Sequence, residues 1–135
     1  MVEPLQIASP GPGLHEITDK VGAVVRQAGV LEGVCTVFVR HTSASLTIQE
    51  NADPSARHDL ERWLERLVPR DDPHFTHVHE GLDDMPSHIK AALTSVSLSI
   101  PVMEGRLVLG TWQGIYLWEH RDAPKMREVV VHVGP

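Results

Sequence analysis

The sequence predicts a single α+β domain, residues 1–135, in which packed mixed or antiparallel β-sheets combine with about three helices. Three observations predict this fold class. The 135 residues are the usual length of one domain. Alternating apolar positions recur in short segments along the whole chain, whereas helical periodicity is confined to three segments. Strands that alternate irregularly with a few helices favour α+β over a regular series of βαβ units.

The predicted elements are eight extended segments and three helices. In chain order they are the extended segments 5–9 and 11–18, the helix 18–28, the strands 34–41 and 45–50, the helices 54–67 and 86–93, and the strands 96–102, 106–109, 114–120 and 127–133. Gly29 closes the first helix, and Asp53 followed by Pro54 begins the second. Pro86 begins the third. Residues 70–85 are polar and without periodicity, which predicts a long ordered loop of the kind that often carries function.

Composition excludes several classes of protein. The chain has 12 Lys and Arg against 18 Asp and Glu, a net charge of −6, whereas a nucleic-acid-binding domain is usually basic. No segment approaches the ~18 apolar residues of a membrane span, and the first residues do not resemble a signal peptide. Cys35 is the single cysteine, which is compatible with a reducing compartment. We therefore expect a cytoplasmic protein without nucleic-acid or membrane partners.

A first candidate site follows the predicted central strand. His41 shares a strand face with apolar residues and is expected to point inward, where an imidazole needs a hydrogen-bond partner, a metal or a substrate. The hydroxyls of Thr42, Ser43 and Ser45 lie beside it and suggest an oxyanion ligand. The alternative is a core histidine that is satisfied by the backbone.

A second candidate site extends from His77 to His88 and contains three histidines and three carboxylates in twelve residues. His88 is expected in the first turn of the helix 86–93, where the free N–H groups favour an anion and a neutral imidazole. A neutral imidazole serves as a metal ligand or as a general base. One of Asp83 and Asp84 could cap the helix, and Glu80 is a further carboxylate. The alternative is a polar loop without a ligand.

A third candidate site covers residues 110–121. Trp112 and Gln113 lie between glycines, which suggests a close approach of the backbone. Strand alternation places Glu119 and His120 on opposite faces, so that they diverge unless a bulge intervenes. Arg121 is a candidate clamp for an anion. The alternative is an edge strand that ends in a charged turn.

Taken together, the three segments resemble one family. The blocks are HTSASLTIQENADP from His41, the pattern HxxEGxDDMPSHIK from His77, and GRLVLGTWQGIYLWEH from Gly105. In order and spacing they are similar to the YjbQ-like family, which is also called the secondary thiamine-phosphate synthase family and has long been of unknown function. The resemblance implies a compact α+β domain, a homotrimer with sites near subunit boundaries, and a histidine-lined pocket that binds a metal and an anion.

The resemblance and the residue chemistry give a set of expected roles. Catalytic roles are expected for His77, Glu80, Asp84, His88 and Glu119. Contacts to the substrate or anion are expected from Thr42, Ser43, Ser45, Trp112, Gln113 and Arg121. We expect His41, His88 and His120 to converge on a metal, since three imidazoles and one open position suit zinc. Magnesium is the alternative if the substrate is a diphosphate.

The activity that the resemblance implies is the formation of thiamine phosphate. A pyrimidine methyl diphosphate is joined to a thiazole phosphate, and pyrophosphate is released. Two alternatives stay open from the residues alone. One is a metal-dependent hydrolase of a phosphorylated metabolite, and the other is a protein that binds a metal or a small anion without catalysis. In each enzymatic case the partner is a small phosphorylated metabolite.

Overall fold

The computed structural model describes residues 1–135 as eight strands and three helices, which confirms the predicted α+β class. The elements are β1 (Val2–Ser9), β2 (Gly13–Glu16), α1 (Thr18–Ala28), β3 (Glu32–Val39), β4 (Ala44–Glu50), α2 (Pro54–Leu67), α3 (Asp84–Leu93), β5 (Ser97–Met103), β6 (Arg106–Leu107), β7 (Gln113–Glu119) and β8 (Lys125–Gly134). Gly29 ends α1 in the left-handed conformation, with φ 67°, which glycine adopts without steric cost. None of the helices is long and apolar enough to cross a membrane.

The strands form two sheets in which every pair is antiparallel. The larger sheet has the order β1-β8-β3-β5-β6, and the smaller sheet has the order β2-β7-β4. Of the two predicted arrangements, mixed and antiparallel, the antiparallel one is therefore present. Strand β3 lies at the centre of the larger sheet, as its two apolar faces predict.

The main core lies between the two sheets and helix α1. Alternate residues of β3 and β8 point inward, and the paired Val37 and Val131 are fully buried. Val21 and Val25 of α1 are buried against the same cluster. Each such side chain contributes roughly 1.5–3 kcal/mol through removal from water, so the inward set of apolar residues is sufficient to fix the packing of the sheets.

Strand β7 has two buried faces and thereby sets the location of the candidate site. Ile115 and Leu117 belong to the main core, whereas Tyr116 and Trp118 pack on the opposite face against Leu64 of α2. The smaller sheet is thus enclosed between the larger sheet and α2. At the end of β7 the chain meets the beginning of β4, because Glu119 pairs with Ala44.

Two boundaries differ from the prediction in ways that affect the site. Helix α3 begins at Asp84, so Pro86 occupies its third position, where the backbone N–H that proline lacks would have had no partner. Consequently Asp84 lies in the first turn, and His88 lies one turn later. Strand β3 ends at Val39, so His41 follows the strand instead of ending it.

Candidate metal centre at the start of helix α3

Two imidazoles and a carboxylate meet at the start of α3. The Oδ2 atom of Asp84 lies 2.7 Å from Nε2 of His77 and 3.1 Å from Nε2 of His88. Asp84 and His88 are four residues apart on the helix and therefore share a face, while His77 comes from the preceding loop. The three ligand atoms all lie within 4.8 Å of one another. This spacing brings together three of the residues expected to be catalytic.

The backbone contact of His88 determines what this ring can offer. Its Nδ1 atom lies 3.1 Å from the carbonyl oxygen of Thr42. A carbonyl only accepts, so Nδ1 carries the hydrogen and donates it. In the neutral ring, Nε2 then directs a lone pair towards the Asp84 carboxylate, an arrangement that requires a proton or a cation between the two atoms. A metal-binding histidine typically donates its other N–H to a carbonyl in this way, so the donor set fits a divalent metal.

Arg121 holds the carboxylate of Asp84 in place. Its Nη1 donates to Oδ1 of Asp84 at 2.5 Å, while Nε donates to Oδ2 of Asp83 at 2.8 Å and Nη2 donates to the carbonyl of Glu80 at 2.9 Å. Burial raises the pKa of Asp84, but the hydrogen bond from His77 and the charges of His88 and Arg121 outweigh it and hold this pKa below its usual value.

The same contacts limit the expected role of Arg121 as a clamp for an external anion. Nε, Nη1 and Nη2 each donate to an acceptor within the chain, which engages three of the five guanidinium N–H groups, and a contact of the other two with an anion stays a prediction. Neither Asp83 nor Asp84 caps the helix with its side chain. Both carboxylates bind Arg121 instead, and Asp84 occupies the first helical turn where a ligand anion had been expected.

Glu80 adds a second carboxylate to His77. Its Oε2 atom lies 2.8 Å from Nε2 of His77, the same nitrogen that contacts Asp84. The side chains of Glu80 and His77 are 64% and 47% exposed. His77 is therefore held from the protein side by Asp84 while it stays accessible to solvent and to a ligand.

His120 and Ser45 form a separate buried pair. Nε2 of His120 lies 2.9 Å from Oγ of Ser45, and burial together with the charge of Lys90 lowers the pKa of His120 to about 3. Both side chains are almost completely buried. His120 is thus a neutral internal histidine, and the Ser45 hydroxyl is its partner rather than a contact for an oxyanion.

Glu119 is likewise engaged inside the protein. Nε and Nη2 of Arg127 contact its two carboxylate oxygens at 2.7 and 2.5 Å, and the same Nη2 lies 2.9 Å from Oγ of Ser43. Burial works against ionisation, but the hydrogen bond from Arg127 holds the pKa of Glu119 below its usual value. The side chain of Glu119 contacts Arg127 while that of His120 contacts Ser45, and neither Glu119 nor Ser43 is free to contact a substrate in this arrangement.

The expected convergence of His41, His88 and His120 is not present within the chain. Nε2 of His41 accepts a hydrogen bond from the backbone N–H of Glu128 at 2.8 Å. His41 therefore has a hydrogen-bond partner within the chain, as in the alternative to a ligand site. The set of ligand atoms that does converge contains His88 but neither of the other two. A metal shared by these three imidazoles across subunits stays a prediction.

Trp112 and Gln113 lie at the opposite end of β7 from Arg121. A seven-residue strand spans about 20 Å, so the two ends cannot line one pocket of a single chain. Oε1 of Gln113 accepts the backbone N–H of Gly110 at 2.8 Å, which stabilises the turn before β7. Trp112 is exposed. Among the expected anion contacts, Thr42 alone combines an exposed side chain with a position beside the metal centre.

Sequence reasoning missed Arg127, although a signal for it was present. Arg127 alternates with Val129, Val131 and Val133 and therefore lies on the inward face of β8. An arginine at such a position requires a buried carboxylate, which Glu119 provides. His132, on the opposite face of the same strand, is exposed to solvent.

Comparison with known proteins identifies the family. A family model described as UPF0047 protein YjbQ-like matches residues 3–135. The chain belongs to this family. The UPF0047 protein sll1880 of Synechocystis is 58% identical over 131 residues, which cover 97% of this chain and 89% of the relative. The UPF0047 protein YjbQ of Escherichia coli O157:H7 is 43% identical, with coverage of 93% and 91%.

Solved structures of the family share the fold. The conserved hypothetical protein TT1486 of Thermus thermophilus superposes with a TM-score of 0.87 at 39% identity and covers 98% of this chain and 99% of its own. A YbjQ-like protein of unknown function from Sulfolobus solfataricus, SSO2532, gives a TM-score of 0.90 at 25% identity, with coverage of 98% and 95%. These names assign the family no activity.

Proposed function

We propose that this chain is a metal-binding enzyme that acts on a small phosphorylated metabolite through His77, Asp84 and His88. The observation that carries the proposal is the orientation of His88. Its Nδ1 donates to the carbonyl of Thr42, so Nε2 is the ring atom that faces Asp84, 3.1 Å away. Zinc suits this set of two imidazoles and one carboxylate, and magnesium is the alternative with a diphosphate substrate.

The reaction that we propose is the family-type formation of thiamine phosphate. The thiazole nitrogen supplies the electron pair of the new C–N bond to the methylene carbon of the pyrimidine. The C–O bond to the diphosphate breaks, and pyrophosphate leaves with the electron pair of that C–O bond. When bound, a divalent metal supplies positive charge where negative charge develops on the leaving oxygen.

Two residues of the chain complete this proposal. Thr42 is exposed and its carbonyl contacts His88, and its hydroxyl can donate to a phosphate oxygen. When His77 does not bind the metal, it can hold or release a proton at Nε2, since Asp84 and Glu80 both lie within hydrogen-bond distance of that nitrogen. Arg121 contributes indirectly, because it orients Asp84.

The second candidate function is a metal-dependent hydrolase of a phosphorylated metabolite. The half-exposed His77 favours it, because the carboxylates of Asp84 and Glu80 both contact Nε2 and would stabilise a proton that His77, when it is not a metal ligand, takes from water. Hydrolysis needs such a proton acceptor, whereas the transfer to a thiazole nitrogen does not. A protein that binds the metal or an anion without turnover is the third outcome of the test.

The test combines metal binding with identification of products. The wild type, with Zn²⁺ or Mg²⁺, is incubated with the pyrimidine methyl diphosphate and the thiazole phosphate together and with each alone. Thiamine phosphate with stoichiometric pyrophosphate supports the transferase, whereas inorganic phosphate from one compound alone supports the hydrolase. Metal binding without either product supports a protein that binds the metal without catalysis. A wild type that binds neither metal contradicts the proposal.

We also propose that the protein is a cytoplasmic homotrimer. The outer face of the larger sheet supports self-association, since large apolar side chains stay exposed on it. They are Val34, Phe38, Met103 and Met126. Exposed apolar patches of this kind are typical of interaction surfaces. The buried free thiol of Cys35 is compatible with a reducing compartment.

A further inference from the structure

We propose, on the basis of the proposed function, that Arg70 is a positioning residue for the metal centre and acts through Asp122, Asp83 and Arg121. Arg70 follows helix α2 and lies in none of the motifs that define the candidate site. Its contacts begin a continuous series of hydrogen bonds that ends at the carboxylate of Asp84.

The first contact is a bidentate ion pair. Nη1 and Nη2 of Arg70 lie 2.6 and 2.7 Å from the two carboxylate oxygens of Asp122. Two parallel hydrogen bonds fix the orientation of the carboxylate as well as its position. Nε of Arg70 lies 3.2 Å from Oε1 of Glu65, so the guanidinium is itself held from a second side. This side chain therefore has a defined conformation.

The next contacts lead inward to the metal centre. The backbone N–H of Asp122 donates to Oδ2 of Asp83 at 2.9 Å, and Nε of Arg121 donates to the same oxygen at 2.8 Å. Arg121 then donates to Oδ1 of Asp84 at 2.5 Å. The other oxygen of Asp84 is the one that contacts both imidazoles. A shift of the turn that contains residues 121 and 122 would therefore move the carboxylate of Asp84.

A second branch returns to α3 and closes a ring. Glu65, which contacts Arg70 through Oε1, accepts from Nζ of Lys90 through Oε2 at 2.6 Å. Lys90 is almost completely buried near the end of α3, and Asp84 is buried at its start. Both ends of the helix are thus tied to Arg70. Arg121, which belongs to the ring, also donates to the carbonyl of Glu80 in the loop that carries His77, so these contacts relate the position of the helical ligands to that of the loop ligand.

The position of Arg70 separates a positioning role from a general effect on stability. Its side chain is 33% exposed and that of Asp122 is 52% exposed. Exposed ion pairs contribute little to the free energy of unfolding. Loss of Arg70 should therefore change metal affinity and ligand geometry while the protein remains folded. Arg66, on the last turn of α2, offers a matched control because it is exposed and forms no ion pair.

The test measures binding of Zn²⁺ by calorimetry and the absorption spectrum of bound Co²⁺. Arg70→Gln should weaken Zn²⁺ binding by about 3- to 10-fold, below the 10- to 100-fold typical of a direct partner of a metal ligand, and should alter the Co²⁺ spectrum. Arg66→Gln should match the wild type, and Arg70→Lys should restore part of the affinity. Thermal unfolding of each metal-free variant shows whether it is folded.

A double-mutant cycle tests the route. If Arg70 acts through Asp122, Arg70→Gln combined with Asp122→Asn should weaken Zn²⁺ binding no more than either change alone. The inference is overturned if the two losses multiply, or if Arg70→Gln binds Zn²⁺ like Arg66→Gln. Neither result would contradict the proposed metal centre itself. A wild type without affinity for Zn²⁺ and Co²⁺ overturns the metal centre and the role of Arg70 together.

Discussion

The guanidinium of Arg127 lies in contact with both carboxylate oxygens of Glu119, at 2.7 and 2.5 Å, and the two residues are 3% and 1% exposed. This ion pair fills the point where β7, β8 and the residues before β4 meet, because Arg127 also binds the carbonyl and the hydroxyl of Ser43. Glu119, which the sequence had suggested as catalytic, thus has an evident part in the stability of the fold.

Removal of Arg127 should be strongly destabilising. Arg127→Leu leaves the buried carboxylate of Glu119 without a compensating positive charge, which costs roughly 3–5 kcal/mol of unfolding free energy. Arg127→Leu combined with Glu119→Gln should recover part of this loss. Arg40→Gln, which removes the exposed pair with Glu128, is the control and should cost less than about 1 kcal/mol. Urea unfolding of these variants provides the measurement. Equal losses for Arg127→Leu and Arg40→Gln would show that the buried pair has no special weight.

Loss of His88 should affect metal binding far more than folding. The side chain of His88 is 32% exposed, so His88→Ala should lower the free energy of unfolding by about 1 kcal/mol or less. Zn²⁺ affinity should fall by more than the 10- to 100-fold typical of an outer partner. His58→Ala, at an exposed position of α2, should leave both quantities unchanged. Calorimetry with Zn²⁺ measures the affinity, and thermal unfolding measures the stability. A wild-type Zn²⁺ affinity in His88→Ala would show that His88 is not a ligand of the metal centre.

The buried His120 should make the protein less stable in mild acid. Its pKa is about 3 in the folded chain and near 6.5 when exposed. Between these values the unfolded chain binds a proton that the folded chain does not. Stability from this group is therefore complete above about pH 6.5 and decreases by up to about 1.4 kcal/mol per pH unit as the pH falls towards 3.

A comparison at two pH values isolates this effect. Urea unfolding at pH 7 and pH 5 should show a smaller pH-dependent loss for His120→Gln than for the wild type, since carboxylates titrate mostly below this interval. The same loss in both proteins would mean that His120 is not the group responsible.

A charge on the outer face of the larger sheet should dissociate the proposed trimer. Phe38 is 45% exposed and pairs with Val130 on β8, so Phe38→Glu places a carboxylate in the middle of this face. Burial of an unpaired charge opposes association. Light scattering should give about three chains for the wild type and one for the variant. Glu3→Lys, on the same sheet, serves as a control for a change of charge. A monomeric wild type at micromolar concentration would refute the trimer.

Much of the fold could be predicted because it depends on local alternation. The inward positions of β3 and β8 and the exposure of His132 follow from the period of two along a strand. His41 shows the limit of this rule. It lies beyond the end of β3, so the alternation no longer determines the direction of its side chain, and a backbone N–H from β8 satisfies it instead.

The candidate site could be predicted only in part, because the sequence does not show which charged residues pair with one another. The cluster of His77, Asp84 and His88 is compact in sequence, and its residues were identified together. The partners of Arg121 are Asp83 and Asp84, 38 and 37 residues away. No periodicity relates Arg121 to these two carboxylates. The sequence shows that an arginine is present, but it does not show whether a carboxylate of the same chain already binds it.

The two buried faces of β7 impose a limit on how the length of this chain can vary. Insertion or deletion of one residue within β7 would reverse the face to which the following side chains point. Tyr116 and Trp118 would then take the places of Ile115 and Leu117, and aromatic rings would enter a space that holds aliphatic side chains. Both hydrophobic clusters would be disrupted by the same event. An extra residue in the polar segment 71–76, between Arg70 and His77, would meet no such restriction. Differences in length among relatives should therefore collect in that segment and be absent from β7.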